Sequence, residues 1–431
     1  MCLHKIIYKD VDKMYVLKIE GNKNLKGTVK ISGAKNSAVA LIPAAILCDE
    51  NVKITNIPKI SDIDALEEIL KYLNAKVERT EDGEIYIGSC NIENKPIPYE
   101  DSKKLRASYY FMGALLGRHK KIEMYFPGGC TIGARPIDLH LKGFEALGAK
   151  IEQQEDKYII TADELKGTNI YLDVASVGAT VNIMLAAVKA KGVTIIENAA
   201  KEPEIVDLAT FLNGMGAKIS GAGTNTIKII GVDYLKSCTH EVIPDRIEAG
   251  TYIMIGAAVC EKLVVENVIP EHIDSLLRKL IEMGVDLKVD VDSVTVTNKN
   301  NIKSTNIITL GYPGFPTDLQ QIMASLMTQA EGESKIEETL YENRFLNLYQ
   351  ISKMGAKVKL EGNRAYIRGK TDLYGTEVSA SDLRAGASLV LAALLAKGET
   401  IINSADYILR GYEDIVQKLT KLGAKINLIK I

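Results

Sequence analysis

One short phrase, repeated six times, constrains this 431-residue chain more than any other feature. It reads YLNAKV from Tyr72, ALGAKI from Ala146, GMGAKI from Gly214, EMGVDL from Glu282, KMGAKV from Lys353 and KLGAKI from Lys421. The third-position residues Asn74, Gly148, Gly216, Gly284, Gly355 and Gly423 stand 68 to 74 residues apart. A near-constant spacing marks a repeated structural unit, and this one is too long for a solenoid repeat, so each unit holds several elements.

The third copy displays them. ASVGATVNIMLAAVKAKG is apolar nearly all round and predicts a buried helix. VTIIENA predicts a strand. PEIVDLATFLNGMG predicts an amphipathic helix with Pro203 in its first turn and Gly216 at its end. AKISGA and TIKIIGV predict two more strands. The recurring GAK is therefore a helix end leading into a strand. In the other units the buried helices are expected to begin near Gly33, Arg106, Arg246, Asp318 and Asp382, with Ser176 in the third. SVTVT (293–297) and EIYIG (84–88) alternate apolar and polar residues, so one sheet face is buried. Six units of βαβαββ type, each with its apolar helix inside and its sheet outside, fit two domains of three units. A doubly wound sheet would need mostly apolar strands between amphipathic helices; here the helices are the most apolar elements.

Composition narrows the function. With 46% apolar and 25% charged residues and a net charge of −2, the chain is an ordinary globular one with no broad basic face for nucleic acid. No apolar run approaches the ~18 residues of a membrane span, and the N-terminus has no secretory h-region. Six cysteines, at 2, 48, 90, 130, 238 and 260, form neither C-x-x-C nor zinc-finger spacing; free thiols in a reducing cytoplasm are expected. No Walker motif and no dinucleotide fingerprint occurs.

The buried-helix starts carry unusual residues. Lys35, Arg106, Arg246 and Arg384 fall in or near a first turn, where a cation opposes the helix dipole. Each alone reads as a solvated charge. Four together suggest that main-chain N–H groups and added cations hold a phosphate or carboxylate. Asp245, Asp318 and Asp382 lie at the same starts: two as ordinary N-caps, with one left to act as a base. PGGCTIGARPIDLH (127–140) is a glycine-rich loop carrying Cys130. That thiol is either inert or, with Arg135 favouring its thiolate, an acid or a nucleophile over a bound anion. His140 is read as structural.

Taken in order, SGAKNSAVAL (32–41), LRASYYFMG (105–113), GGCTIGARPIDLH (128–140), SVGATVNIM (176–184), PDRIEAGTY (244–252), FPTDLQ (315–320), ENRF (342–345), DLRAGASLVLA (382–392) and RGYE (410–413) resemble the UDP-N-acetylglucosamine 1-carboxyvinyltransferases. The resemblance spans the chain from Met14 on. It implies a two-domain inside-out α/β barrel, with one domain at 35–243, the other joining 1–34 to 244–431, and the site in the cleft between them.

It further implies enolpyruvyl transfer from phosphoenolpyruvate to the 3-hydroxyl of UDP-N-acetylglucosamine, with phosphate released, as the first committed step of peptidoglycan synthesis. Lys35, Asn36, Arg135, Arg384 and Arg410 would bind phosphoenolpyruvate. Arg106, Arg135, Pro136, Ile137, Asp138, Leu139, Ser176, Val177, Asp318 and Leu340 would bind the nucleotide sugar. Cys130 would be the general acid and Asp318 the base, with Lys35 and Arg410 completing the catalytic set. No cofactor, metal, nucleic acid or membrane is implied. Val174, Tyr110 and Leu409 stand where many relatives have Lys, Trp and Asp, which removes one diphosphate contact and one partner of Arg410. Two rivals share the scaffold: transfer to shikimate 3-phosphate, and a non-catalytic sugar-nucleotide sensor.

Overall fold

The computed structural model describes residues 15–22, 24–100, 106–125, 137–297 and 301–431, with the backbone alone for Arg106 and Ala107. The helices run α1 (Lys35–Ala44), α2 (Ser61–Tyr72), α3 (Tyr110–His119), α4 (Asp138–Ala146), α5 (Val177–Ala187), α6 (Pro203–Gly214), α7 (Arg246–Val259), α8 (Asp274–Glu282), α9 (Thr317–Met327), α10 (Leu346–Lys353), α11 (Leu383–Leu395), α12 (Asp406–Leu409) and α13 (Ile415–Lys421).

The apolar helices lie inside. Every residue is buried over Ser37–Ala44, Phe111–Gly117, Ala179–Ala187, Ile247–Val259, Leu319–Met327 and Arg384–Leu395. The outer helices bury one stripe, as α8 does with Leu276, Leu277 and Leu280. Strands alternate: Thr226–Ile230 and Ser293–Thr297 each bury every second residue. Each fully buried Leu or Ile contributes about 1.5–3 kcal/mol, so the inner helices, buried on all sides, carry more of the folding energy than the one-faced sheets.

The third unit has the expected order. Asn169–Tyr171 precedes α5 and pairs in parallel with Val193–Glu197, which follows it; α6 then leads to the hairpin Lys218–Ser220 and Thr226–Ile230. The phrase that marks each unit closes a helix in the left-handed region, with φ of 69° at Asn74 and 95°, 103°, 86°, 109° and 100° at Gly148, Gly216, Gly284, Gly355 and Gly423. Asn and Gly tolerate that conformation best.

The buried apolar residues form two clusters, one running from Ala34 to Val242, the other joining Leu17–Ile31 to Ile247–Ile426. The chain passes between them at 31–34 and 242–245, where the two segments bond to each other: Ala34 N–H donates to the Ile243 carbonyl (2.7 Å) and Asp245 N–H to that of Ser32 (2.9 Å). A Cβ at Gly33 would overlap the Asn56 carbonyl, so only glycine fits this close pass. The crossing exchanges strands. Thr239–Glu241 lies parallel to Asn51–Thr55, while Leu25–Lys30 lies parallel to Cys260–Glu266. Tyr15–Glu20 sits between Glu399–Asn403 and Lys425–Lys430, supplying the last strand of the sixth unit.

Candidate active site

Both lobes direct inner-helix starts at one ionic cluster. Lys35, the first residue of α1, donates its main-chain N–H to Asp245 Oδ2 (3.0 Å). Its Nζ lies 2.6 Å from Asp62 Oδ2. Asp62 is the second residue of α2 and is buried. Its other oxygen, Oδ1, accepts from Nε of Arg410 at 2.8 Å, at the end of α12 in the other lobe. Burial pushes the Lys35 ammonium below its usual range; Asp62 opposes this, while Arg384 and Arg410 add to the fall. Burial would raise the Asp62 carboxyl, but Lys35 and Arg410 outweigh it and hold the group below its usual range.

Asp318 forms a second node, as the second residue of α9. Oδ1 accepts from Arg344 Nη2 (2.6 Å), and Oδ2 from Arg384 Nη2 (3.1 Å) and Nε (3.3 Å). Arg344 also donates to Thr317 Oγ1 (3.0 Å). Thr317 donates to Glu338 Oε2 (2.8 Å), whose Oε1 accepts the main-chain N–H of Leu340 (2.9 Å). The Arg384 guanidinium lies over the Tyr412 ring, 5.5 Å from its centroid. Burial would lower its pKa, yet the charges of Asp318 and Tyr412 drive it up. Arg384 Nη1 and Arg344 Nε are buried without a hydrogen-bond partner among the described residues; a buried unmet donor costs about 1–3 kcal/mol. A third node crosses the lobes, where Arg246 Nε lies 2.9 Å from Oε1 of buried Glu204.

Of the residues assigned to the nucleotide sugar, Ile137, Asp138, Leu139, Ser176 and Val177 lie in the first lobe, and Asp318 and Leu340 in the second. Ile137, Asp138 and Leu139 occupy the start of α4. Ser176 caps α5, accepting from Ala179 N–H at 3.3 Å, and Val177 opens that helix. The two starts touch: a Cβ at Gly178 would lie 2.9 Å from His140 Cε1. His140 Nδ1 is 2.9 Å from Asn182 Nδ2, while Asn182 Oδ1 accepts Gly113 N–H at 2.7 Å. His140 thus supports the packing of α3, α4 and α5, in keeping with a structural reading.

The geometry completes the sequence reading and amends parts of it. Arg384 is a buried cation and Arg246 a half-buried one, each paired with a carboxylate rather than solvated. Asp245 and Asp382 cap α7 and α11, whereas Asp318 lies inside its helix and engages two arginines. Arg410 has a carboxylate partner despite Leu409, because Asp62 comes from the other lobe. Asp62, Glu204 and Arg344 were not singled out from sequence. Asn36 follows Lys35 in the first turn of α1 and is half-buried; Leu340 is exposed. Val174 is exposed, and Tyr110 is half-buried against the first core. Cys130, Arg135 and Pro136 lie outside the described residues, as does the side chain of Arg106.

Residues 19–419 match the family model described as EPSP synthase (3-phosphoshikimate 1-carboxyvinyltransferase). A Listeria monocytogenes protein named UDP-N-acetylglucosamine 1-carboxyvinyltransferase 2 is 53% identical over 95% of this chain and 96% of its own length. A Bacillus cereus protein of the same name is 52% identical over 96% of each. Among solved structures, the enolpyruvyl transferase NikO from Streptomyces tendae superposes with a TM-score of 0.88 at 26% identity, covering 97% of this chain and all of that one. An EPSP synthase from Acinetobacter baumannii gives 0.76 at 19% identity, over 96% and 100%, a likeness of fold alone.

Proposed function

The chain belongs to the EPSP synthase family of carboxyvinyltransferases, and from that premise we propose that it transfers the enolpyruvyl group of phosphoenolpyruvate to the 3-hydroxyl of UDP-N-acetylglucosamine, for peptidoglycan synthesis. The observation that carries the choice of acceptor is the 52–54% identity, over nearly the whole chain, to relatives named for that sugar nucleotide. The family model alone is described by the shikimate acceptor, but the solved shikimate-type enzyme shares only 19% identity.

In this reading, domains at 35–243 and at 1–34 with 244–431 close on the substrates. Lys35, Asn36, Arg135, Arg384 and Arg410 hold phosphoenolpyruvate. Arg106, Arg135, Pro136, Ile137, Asp138, Leu139, Ser176, Val177, Asp318 and Leu340 hold the nucleotide sugar, with the diphosphate at the start of α5. Cys130 gives a proton to the methylene carbon of phosphoenolpyruvate. The 3-hydroxyl oxygen adds to C2 and passes its proton to Asp318. The tetrahedral adduct loses phosphate from C2 and returns a proton from the methyl group to the Cys130 thiolate, which restores the double bond. Buried cations support the departing phosphate, and closure keeps water from the cationic centre. The pre-formed ionic cluster at Lys35, Arg410, Arg384 and Asp318 supports this reading, since it gathers the charges such a substrate needs. No helix among the described residues is long and apolar enough to cross a membrane.

The test is phosphate release. It is expected with phosphoenolpyruvate plus UDP-N-acetylglucosamine and not with shikimate 3-phosphate; the opposite preference overturns the proposal. Cys130→Ala is expected to lose most turnover at neutral pH while still binding the nucleotide sugar. Full turnover in that variant removes Cys130 as the acid, and loss of binding with turnover removes its assignment to the chemistry.

A further inference from the structure

Asp62 stands outside every motif read from the sequence, yet its carboxylate is the point where the lobes' anion-binding cations meet. One oxygen takes Lys35 Nζ at 2.6 Å and the other takes Arg410 Nε at 2.8 Å. Lys35 opens α1 in one lobe, and Arg410 ends α12 in the other. Leu409, beside Arg410, offers no charge. We propose that Asp62 is a positioning residue for enolpyruvyl transfer, fixing Lys35 and Arg410 to one carboxylate across the lobes so that both present their free donors to the phosphoenolpyruvate anion. This rests on the reading that these two cations bind that substrate.

The physical case has two parts. Lys and Arg side chains each lose up to about 2 kcal/mol of rotamer freedom when ordered. A short charge-assisted hydrogen bond to Asp62 orders both before the substrate arrives, so binding need not. The second part is charge. Lys35 is largely desolvated, and Arg384 from α11 and Arg410 act against its ammonium, while Asp245 at the start of α7 engages its main-chain N–H rather than its amine. Asp62 from α2 is the carboxylate that keeps the amine charged. Without it, burial and the two arginines act unopposed, and Lys35 gives up its proton at lower pH.

The experiment compares Asp62→Asn and Asp62→Glu with the unmodified chain. The Asn variant is expected to raise KM for phosphoenolpyruvate by about tenfold or more, with KM for UDP-N-acetylglucosamine changed less than about twofold. Calorimetric titration with phosphoenolpyruvate is expected to show binding by the Asn variant that weakens as pH rises from about 6 to 8.5, and steadier binding by the unmodified chain. The Glu variant restores the charge and is expected to recover part of the affinity. An unchanged phosphoenolpyruvate KM in Asp62→Asn overturns the assignment, as does an equal rise in both KM values, or a Glu variant no better than the Asn one. Should the Asn variant not fold, the Glu variant is judged alone, by whether its phosphoenolpyruvate KM rises selectively. The outcomes separate from those of the functional reading: phosphoenolpyruvate binding that depends on Asp62 without phosphate release to the sugar nucleotide sinks that reading and leaves Asp62 standing. Normal phosphate release in Asp62→Asn with an unchanged phosphoenolpyruvate KM does the reverse.

Discussion

The inner-helix starts of the two lobes are built differently. In the second lobe, α7 and α11 begin at aspartates that each accept two main-chain N–H groups: Asp245 from Ile247 and Glu248 (2.8 and 3.0 Å), Asp382 from Arg384 and Ala385 (2.9 and 3.0 Å). Their charged residues are already matched, Arg246 to Glu204 and Arg384 to Asp318. In the first lobe, α1 has no cap from its own N-cap residue, its first N–H going to Asp245 of the other lobe (3.0 Å), and α5 has the single 3.3 Å bond to Ser176. At α7 and α11, though not at the uncapped α9, the second lobe thus holds its donors and charges in fixed pairs, which is electrostatic preorganisation. The start of α5, by contrast, has a single cap bond, which suits the diphosphate binding proposed there.

The largest break in that contrast is expected from Asp318→Asn. Arg344 and Arg384 are buried and share this one carboxylate. Neutralising it leaves two guanidiniums without their counter-charge, a change that costs about 3–5 kcal/mol when a buried pair is broken. Denaturant unfolding is expected to shift by that order, and phosphate release is expected to collapse with it. A variant that turns over normally would remove Asp318 from the chemistry. Glu204→Gln breaks the second matched pair but keeps a hydrogen-bond acceptor beside Arg246. Its cost is expected to be about 2–3 kcal/mol, measured the same way, with a smaller effect on turnover because Glu204 has no role in the proton transfers.

What could be read from the sequence follows a physical divide. The six units, the buried helices and the left-handed helix ends are local patterns of periodicity and glycine placement, and the structure bears them out from Asn74 to Gly423. Lys35, Arg246 and Arg384 were visible because a cation in a first helical turn is a misfit that asks for a reason. Their partners were not. Asp62 is 348 residues from Arg410, and Glu204 is 42 from Arg246. Asp62 also lies among Asp64, Glu67 and Glu68 in an outer helix where acids are ordinary. Arg344 sits in the ENRF segment, where no period marks its inward turn. Likewise, the place of Tyr15–Glu20 in the last sheet depends on the crossing of the chain.

Acid should separate the two pairing styles. The Asp62 carboxyl is held below its ordinary value of 3.8 in the folded state. A group depressed in this way contributes stability that is present above its unfolded value and is lost as pH falls through the folded one. The unmodified chain is therefore expected to lose stability below about pH 4 more steeply than Asp62→Asn. Parallel stability curves for the two would show that Asp62 gains nothing from its cations.

The smallest effect sharpens the comparison most directly, because it measures the helix starts themselves. Asp382→Ala removes a cap with two bonds near 3 Å and is expected to cost about 1–2 kcal/mol. Ser176→Ala removes one bond of 3.3 Å, so its cost is expected near the lower end for caps, about 0.5 kcal/mol. The order should invert for ligand affinity. A helix start whose N–H groups are held by an internal carboxylate has little to offer an anion, whereas the start of α5 is the one proposed to take the diphosphate. Ser176→Ala is therefore expected to weaken UDP-N-acetylglucosamine binding several-fold by calorimetry, more than its stability cost implies. If Ser176→Ala destabilises the chain as much as Asp382→Ala and leaves nucleotide-sugar affinity intact, the start of α5 is an ordinary capped helix and the distinction between the lobes fails.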